Sequence, residues 1–550
     1  MAFSEFQPSG ATRGTMGVES SCSSAIAAAP AGALARPFCQ ILLEFFDSRR
    51  KLIFVLIAIT YLLGFNGQWR MGPDSGLYLN LARSLETGQG YVLQGVHHQT
   101  VYPGLPLALA GLLRISHGHV IFAADLLILA CALASLALVY RLVLLAYDRP
   151  TAVIIVSSVA FNHEFFRYSF EILTDMPFLT GVMALLAGHE AIFGPRAAST
   201  GLGRAGGRAR WWDWALLIAG LAIAVSTRPT MIGLLMAWIV ALFFCAITGR
   251  NRRAAAVSVV LCLVAVAVFL VLDPRRIPGH GPAGLYEQYA FHQLTDRLPH
   301  VLRVNAVNNL YDLLVITAPR AVFGMDLLLD PANVVFACIV LAAGVALIRK
   351  RLFWGLWIII TLLTLILLLS VYRYMLQILP LLILGWWNLL RSINLRFPRR
   401  LGNVVFALLL SLGAALNGGQ VIAFIVHQRA RPFLADYQKG IYPPYVQMAH
   451  EIPNYTTDRD LILCPLKLAR IMEFLADRNF AEPNASIRAE PIRAEPGHLL
   501  AILDPKDVEY SRWLGDQHVK PEGDFLVSVP RAGGRPAVRL VRARIAPEPK

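Results

Sequence analysis

About eleven long apolar runs divide this 550-residue chain, and they constrain its fold more than any other feature. Apolar runs of about 20 residues are typical of helices that cross a membrane. Only 15% of the residues are charged, whereas soluble chains average about 25%. The sequence therefore predicts an α-helical polytopic membrane protein. The runs lie at 51–69, 120–146, 150–162, 172–193, 213–227, 230–248, 254–272, 331–348, 352–370, 372–391 and 401–427.

The distribution of basic residues predicts the orientation of these runs. If the N-terminus is cytoplasmic and the short run at 150–162 crosses, clusters of Arg and Lys fall in the inner segments. The short outer turns then hold one arginine each: Arg167, Arg228 and Arg373. We expect a multi-pass protein of the bacterial inner membrane. Its larger outer segments would be 70–119, 162–171, 273–329 and 428–550.

The net charge of +15 does not indicate a nucleic-acid-binding protein. Most of the surplus Arg and Lys lies between apolar runs, where it sets membrane orientation and contacts lipid headgroups. The seven cysteines form neither a CxxC pair nor a Cys/His ligand spacing, so no zinc site or disulfide framework is predicted. Residues 1–48 begin with a stretch rich in Ala, Ser, Gly and Pro and are interpreted as a disordered cytoplasmic tail.

The composition changes after the transmembrane domain, which is predicted to span 49–427. Segments typical of short strands alternate with segments typical of helices, which predicts a small α/β domain on the outer membrane surface at 428–550. The strand-like segments are DLILC, HLLAILD, DFLVSV and AVRLVRARI, and the helix-like ones are PYVQMAHEI, LKLARIMEFLADR and PKDVEYSRWLG.

The stretch RMGPDSGLYLNLARSLETGQGY places a carboxylate, Asp74, directly after the first apolar run. Leu77, Leu81 and Leu85 give the following helix one apolar face, so we expect it to lie flat in the headgroup layer. A second surface helix is predicted within 97–113. Asp74 is consistent both with an N-terminal helix cap and with a base or metal ligand at the membrane surface.

The stretch NHEFFRYSFEILTDMPF carries four charged residues in one outer turn: Glu164, Arg167, Glu171 and Asp175. Asp175, followed by Met-Pro, also has the pattern of a helix start. Helix capping could explain some of these acids. Membrane proteins rarely keep several ionisable residues at one face without a use, so a functional site is favoured.

The outer arginines offer a complementary function. Arg228 and Arg373 each end an apolar run and could simply extend toward the headgroups. Arginine also binds phosphate through paired donors. Together with the acids, these residues predict a site for a lipid that carries a phosphate, and Arg167 and Tyr374 are assigned to the same lipid-phosphate site.

Five segments occur in an order that resembles a known family. They are GPDSGLYLNLARSLETGQGYV, YPGLPLALAGLL, FEILTDMPFL, STRPTMIGLL and YRYMLQILPLLIL. In this order they resemble the GT-C membrane glycosyltransferases, in particular bacterial relatives of the protein O-mannosyltransferases and the lipid A aminoarabinose transferases, over residues 50–390. The resemblance implies transfer of a sugar from a polyprenyl-phosphate donor, with inversion, at the outer face of the membrane.

The resemblance also implies roles for individual residues. Asp74 matches the acid of the first outer loop, which would deprotonate or orient the acceptor hydroxyl. Glu171 and Asp175 match the acidic positions of the second outer loop, and Arg373, before Tyr374, matches an arginine near the lipid phosphate. Many relatives have an Asp-Glu pair where this chain has Asp74-Ser75, which leaves both a divalent cation and a metal-free reaction open.

Two alternative functions fit part of the pattern. A surface-polysaccharide polymerase or ligase would use the arginines of the 273–329 loop. A transporter would have ionisable residues near the membrane midplane and an internal repeat, whereas most charges here lie at the ends of runs. The acceptor could be a glycan, a lipid or a protein, and the sequence does not identify the sugar.

Overall fold

A computed structural model provides the structure of the protein. It describes residues 38–93, 96–98, 101–116, 119–194, 210–248, 252–272, 306–324, 330–367, 372–396, 399–430, 442–465, 468–481, 497–531 and 535–546. Of the 273–329 loop, only 306–324 are therefore described. This part includes Arg320, whereas the loop's other arginines lie outside the described residues: Arg275, Arg276, Arg297 and Arg303.

The described residues up to 430 are mostly helical. The first eleven helices are α1 (Phe38–Ser48), α2 (Arg50–Gly64), α3 (Pro73–Glu86), α4 (Gly104–Ser116), α5 (Val120–Ala146), α6 (Arg149–Ala160), α7 (His163–Tyr168), α8 (Asp175–Phe193), α9 (Trp211–Thr227), α10 (Met231–Ile247) and α11 (Arg252–Leu272). A two-stranded ribbon of β1 (Val92–Leu93) and β2 (Val96–His97) follows α3.

Six more helices complete this part of the chain. They are α12 (Ala306–Asp312), α13 (Ala318–Phe323), α14 (Asp330–Val345), α15 (Leu352–Leu367), α16 (Leu379–Arg396) and α17 (Arg399–Ala430). A π-helical turn (Leu313–Thr317) joins α12 to α13, and 3₁₀ turns follow α14 (Ala346–Arg349) and precede α16 (Tyr372–Gln377).

A helix occupies each of the eleven predicted apolar runs. Within the described residues, four segments are long and apolar enough to cross a membrane: Val120–Ala146, Asp175–Phe193, Asp330–Arg349 and Leu401–Gln428. Helix α6 has 12 residues, or about 18 Å of helix, which is shorter than a hydrocarbon core of about 30 Å. The number of crossings and their orientation stay predictions.

Helix α8 lies at the centre of the molecule. Every residue of α8 except Ala191 is buried, and the helix packs against α5 and α9. A methyl group on Gly181 would lie 2.8 Å from the backbone nitrogen of Ala224 in α9, so the small residue allows this close approach. By contrast, apolar side chains such as Phe243, Leu263 and Leu408 are exposed on α10, α11 and α17, as expected for surfaces that contact lipid. The central position of α8 fixes the start of that helix, at Asp175, inside the protein.

Helix α1 departs from the sequence-based prediction, which placed residues 38–48 in a disordered tail. Its first amides donate to side chains of α17 and α16, Phe38 to Asn403 at 3.1 Å and Cys39 to Asn394 at 3.2 Å. These bonds satisfy donors that a helix start leaves without a partner. The partners lie more than 350 positions away, so a local reading of the sequence did not detect them.

The C-terminal domain has a five-stranded mixed sheet and three helices. The strands are β3 (Leu461–Leu463), β4 (Asn479–Ala481), β5 (Leu499–Leu503), β6 (Val519–Arg531) and β7 (Arg535–Ile545), and the helices are α18 (Tyr442–Glu451), α19 (Ala469–Ala476) and α20 (Val508–Asp516). The strand order is β4-β3-β5-β7-β6, with β3 parallel to β4 and β5 and with β7 antiparallel to β5 and β6. All four predicted strands and all three predicted helices occur, and the edge strand β4 was not predicted.

Helix α3 also differs from the expected surface helix. Its apolar residues Leu77, Leu79 and Leu81 are buried, but so are the polar Asn80 and Ser84. One side of α3 packs on α4 and another on α19 of the C-terminal domain. The helix is therefore enclosed by protein on more than one side, because the C-terminal domain covers the face that the sequence assigned to solvent.

Candidate active site

The start of α3 presents Asp74 without using it as a helix cap. The N-cap is Gly72, and the hydroxyl of Ser75 both accepts from the Gly72 amide at 3.0 Å and donates to its carbonyl at 2.8 Å. Asp74 lies in the first turn, where the partial positive charge of the helix N-terminus favours a carboxylate. Its carboxylate is thus directed to other partners.

The partner of Asp74 is Arg373. Nη1 of Arg373 donates to Oδ2 of Asp74 at 2.7 Å, and both side chains are partly exposed. Arg373 lies in the 3₁₀ turn that precedes α16, next to Tyr374. The structure therefore joins the start of α3 to the turn before α16 at one carboxylate–guanidinium pair.

A second, more buried pair lies beside the first. Arg228, which ends α9, places Nη2 2.8 Å from Oδ2 of Asp175, which opens α8. The Nε of Arg228 also donates to the hydroxyl of Thr174 at 2.9 Å. The guanidinium of Arg228 lies 5.0 Å from the ring centroid of Tyr374, and that of Arg373 lies 5.5 Å from it. Two positive groups thus flank one tyrosine ring.

Tyr78 completes this group, which we name the Asp74 cluster: Asp74, Tyr78, Asp175, Arg228, Arg373 and Tyr374. Tyr78 lies one turn of α3 after Asp74, and its hydroxyl is 3.3 Å from that of Thr174. Burial raises the pKa of Tyr78 to about 12, with Arg228 lowering it and Asp74 raising it, so the phenol is protonated at neutral pH. Tyr78 was not among the residues predicted for the site, although its i, i+4 spacing from Asp74 places both on one helix face.

Glu171 and Arg167 belong to another group. Glu171 accepts from Nε of Arg167 at 2.9 Å and lies 4.0 Å from Arg70. In the same group Glu164 accepts from Nε of Arg320 at 3.0 Å, and burial raises the pKa of Glu164 against the opposing effect of Arg167 and Arg320. Because α8 begins at Asp175, Glu171 and Asp175 do not share a helix face. The segment 162–175 therefore divides its acids between two groups.

The neutral state of His163 follows from the same surroundings. Burial, together with the nearby charges of Arg167, Arg320 and Arg70, lowers the pKa of His163 to about 4. Within the residues that the structure describes, no group of three or more His, Cys, Asp or Glu side chains could hold a metal ion. Both carboxylates of the Asp74 cluster have an arginine as counter-ion.

Solved structures of known proteins share this architecture. The structure of ArnT from Cupriavidus metallidurans bound to undecaprenyl phosphate superposes with a TM-score of 0.58 at 13% sequence identity, covering 90% of this chain and 98% of that one. ArnT, a lipid A aminoarabinose transferase, is of the GT-C type. This chain has the GT-C fold. The resemblance noted in the sequence is confirmed at the level of the fold.

Two further comparisons support the GT-C assignment. The apo state of the same ArnT gives a TM-score of 0.54 at 12% identity, over 90% of this chain and 98% of that one. The oligosaccharyltransferase of Archaeoglobus fulgidus, tethered with an acceptor peptide, gives 0.53 at 13% identity, over 87% of this chain and 70% of that one. Neither a protein-family model nor a curated protein sequence matches this GT-C protein. Its neighbours and its apolar helices make it a multi-pass membrane protein.

Proposed function

We propose that this GT-C protein transfers a sugar from a polyprenyl-phosphate donor to an acceptor at the outer face of the bacterial inner membrane, with inversion at the anomeric carbon. The observation that carries the proposal is the pairing of Asp74 with Arg373 at 2.7 Å beside the buried Arg228. These groups supply a base and two fixed positive charges. The similar ArnT structure holds undecaprenyl phosphate, which is the kind of lipid that such charges would bind.

The chemistry assigns one role to the acid and another to the arginines. The carboxylate of Asp74 takes the proton of the acceptor hydroxyl as its oxygen bonds to the anomeric carbon. The bond from that carbon to the phosphate oxygen breaks, and the lipid phosphate leaves with the electron pair. Arg373 and Arg228 stabilise the charge that develops on the phosphate, because fixed donors in a partly dry site need no reorganisation during the reaction.

The remaining residues hold these groups in place. Asp175 is the counter-ion that orients Arg228, and both guanidinium groups lie within 5.5 Å of the ring centroid of Tyr374. Tyr78 remains a hydrogen-bond donor at neutral pH, since its pKa is about 12. Glu171 and Arg167 pair with each other in the neighbouring group. In this proposal, Arg167 is an additional contact of the lipid phosphate. A glycan, a lipid or a protein can serve as acceptor in this scheme.

A transfer assay tests the proposal. The full-length protein, purified and reconstituted in liposomes, is supplied with a panel of polyprenyl-phosphate sugars and a crude envelope extract as acceptor. We expect transfer from one donor and, by NMR of the product, inverted configuration. An EDTA arm determines whether a divalent cation takes part. A well-folded preparation that transfers from none of the donors, or a product with retained configuration, would contradict the proposal.

A further inference from the structure

The C-terminal domain holds the helix that carries Asp74. Along the middle of α3, the amide of Asn80 donates to the carbonyl oxygen of Arg470 in α19 at 2.7 Å. At Gly76 an added methyl group would lie 2.8 Å from the same oxygen. Helices α3 and α19 are therefore in backbone contact, and only glycine fits at the closest point.

The far end of α3 is fixed by Arg83. Its Nη2 donates to the carbonyl of Phe474 at 2.9 Å, and its Nη1 donates to the carboxylate of Asp477 at 2.8 Å. The guanidinium also lies over the ring of Phe474, 4.4 Å from its centroid. The last carbonyls of a helix have no partner within the helix and carry partial negative charge. Arg83 therefore caps the C-terminus of α19 from the neighbouring domain.

The near end of α3 is fixed through the same phenylalanine. The rings of Trp69 and Phe474 pack in a T-shaped arrangement with their centroids 5.3 Å apart. The indole Nε1 of Trp69 donates to the hydroxyl of Ser75 at 2.9 Å. Ser75 follows Asp74 and forms the helix start described above. Phe474 thus contacts Trp69, which precedes Asp74 and is hydrogen-bonded to the start of α3, and Arg83, which follows Asp74 near the end of α3.

We propose that Phe474 is a positioning residue for Asp74, and that the C-terminal domain acts on the reaction through this contact. The inference rests on the proposed function of Asp74. Phe474, Ile471 and Val446 pack into the core of the transmembrane domain, although they belong to the C-terminal segment of the chain. A displacement of about 1 Å at a reacting group can lower a rate about a hundredfold. Holding Trp69 and Arg83 together prevents such a displacement at the start of α3.

The test compares two identical substitutions in the C-terminal domain. Phe474→Leu removes the ring that Trp69 and Arg83 contact. Phe480→Leu removes a fully buried ring in the domain's own core. We expect kcat to fall at least tenfold in Phe474→Leu with the donor KM changed less than threefold, and Phe480→Leu to keep the wild-type kcat. Phe474→Tyr, which keeps the ring, should have a kcat close to that of the wild type.

Hydrogen exchange of residues 73–86 is the second measurement, and it needs no activity. The amides of α3 should exchange at least tenfold faster in Phe474→Leu than in the wild type. In Phe480→Leu they should exchange at the wild-type rate. If Phe474→Leu does not fold, Trp69→Phe takes its place, since it keeps a ring but removes the bond to Ser75. Unchanged exchange and kcat in the variant would overturn the positioning role. Absence of transfer by the wild type would instead overturn the proposed function, while the exchange data would still test the contact.

Discussion

The guanidinium of Arg373 lies 2.7 Å from the carboxylate of Asp74, although 299 positions separate the two residues in the chain. The two side chains are 26% and 39% exposed. A pair this exposed contributes about 0–1 kcal/mol to stability, because water and salt screen it. Stability alone is therefore a weak reason for the pair. The proposed function explains the pair chemically, because it places Asp74, the base, beside Arg373, which binds the phosphate.

Removing the charge of Arg373 should weaken donor use. A hydrogen bond to a charged group contributes about 1.5–3 kcal/mol, so Arg373→Ala should lower kcat/KM for the polyprenyl-phosphate donor about ten- to a hundredfold. Arg478→Ala is the control, since Arg478 pairs with Asp458 at 3.1 Å in the C-terminal domain. Steady-state kinetics with varied donor measures both. An unchanged kcat/KM in Arg373→Ala would exclude a contact with the lipid phosphate.

The Arg228–Asp175 pair should matter for stability as well as for activity. The two side chains are only 8% and 2% exposed, so either single substitution to alanine leaves a buried charge without its partner. Each should lower the free energy of unfolding by about 3–5 kcal/mol. The double variant should lose less than the sum of the two. Thermal unfolding of the purified protein measures these values, and strictly additive losses would show that the two groups do not interact.

Gly76→Ala should disturb the contact between α3 and α19. The new methyl group would lie 2.8 Å from a backbone oxygen, which has little freedom to move. Gly111→Ala in α4 is the matched control, because no atom lies within 4 Å of the new methyl group there. Alanine is favoured over glycine in helices by about 1 kcal/mol, so the control should be neutral or stabilising. We expect a lower melting temperature for Gly76→Ala only, and equal melting temperatures in the two variants would refute the close approach.

The C-terminal domain should lose stability in acid through Asp460. Although burial raises the pKa of Asp460, hydrogen bonds from the amide and hydroxyl of Thr457 and from His498 bring it below its usual value of 3.8. A lowered pKa in the folded state contributes stability that is present above the unfolded value and is lost as the pH falls through the folded value. The melting-temperature difference between wild type and Asp460→Asn should thus be largest near neutral pH and vanish in strong acid. A difference that grows in acid would contradict this assignment.

The sequence predicted the parts of the molecule that depend on local patterns. Apolar runs determine where the long helices lie, since a chain in a membrane has few alternatives to a helix. The alternation of short segments in the C-terminal domain was sufficient for four of its five strands. The edge strand β4, Asn479–Ala481, has one large apolar residue, Phe480, whereas the equally short β3, Leu461–Leu463, is wholly apolar and was recognised.

The sequence did not predict the contacts that join distant segments. Asp74 and Arg373 were both selected, but their pairing depends on how α3 and the turn before α16 meet. The burial of α3 required the C-terminal domain, whose position has no local signal. Helix α1 was missed because its first amides are satisfied by Asn394 and Asn403. Thr174 was missed because a hydroxyl beside an arginine has no recognisable spacing. Tyr78 was missed although it lies four positions after Asp74 on α3.

The rate of sugar transfer by Asp74→Asn tests the central claim most directly. Asparagine keeps the size of aspartate and can still accept a hydrogen bond from Arg373, but it cannot take a proton from the acceptor. General base catalysis contributes about 10²- to 10⁴-fold, so kcat should fall by that factor while donor affinity changes little. Asp458→Asn, whose side chain is 90% exposed, should transfer at the wild-type rate. Transfer by Asp74→Asn at more than a tenth of the wild-type rate would contradict the role of Asp74 as the base.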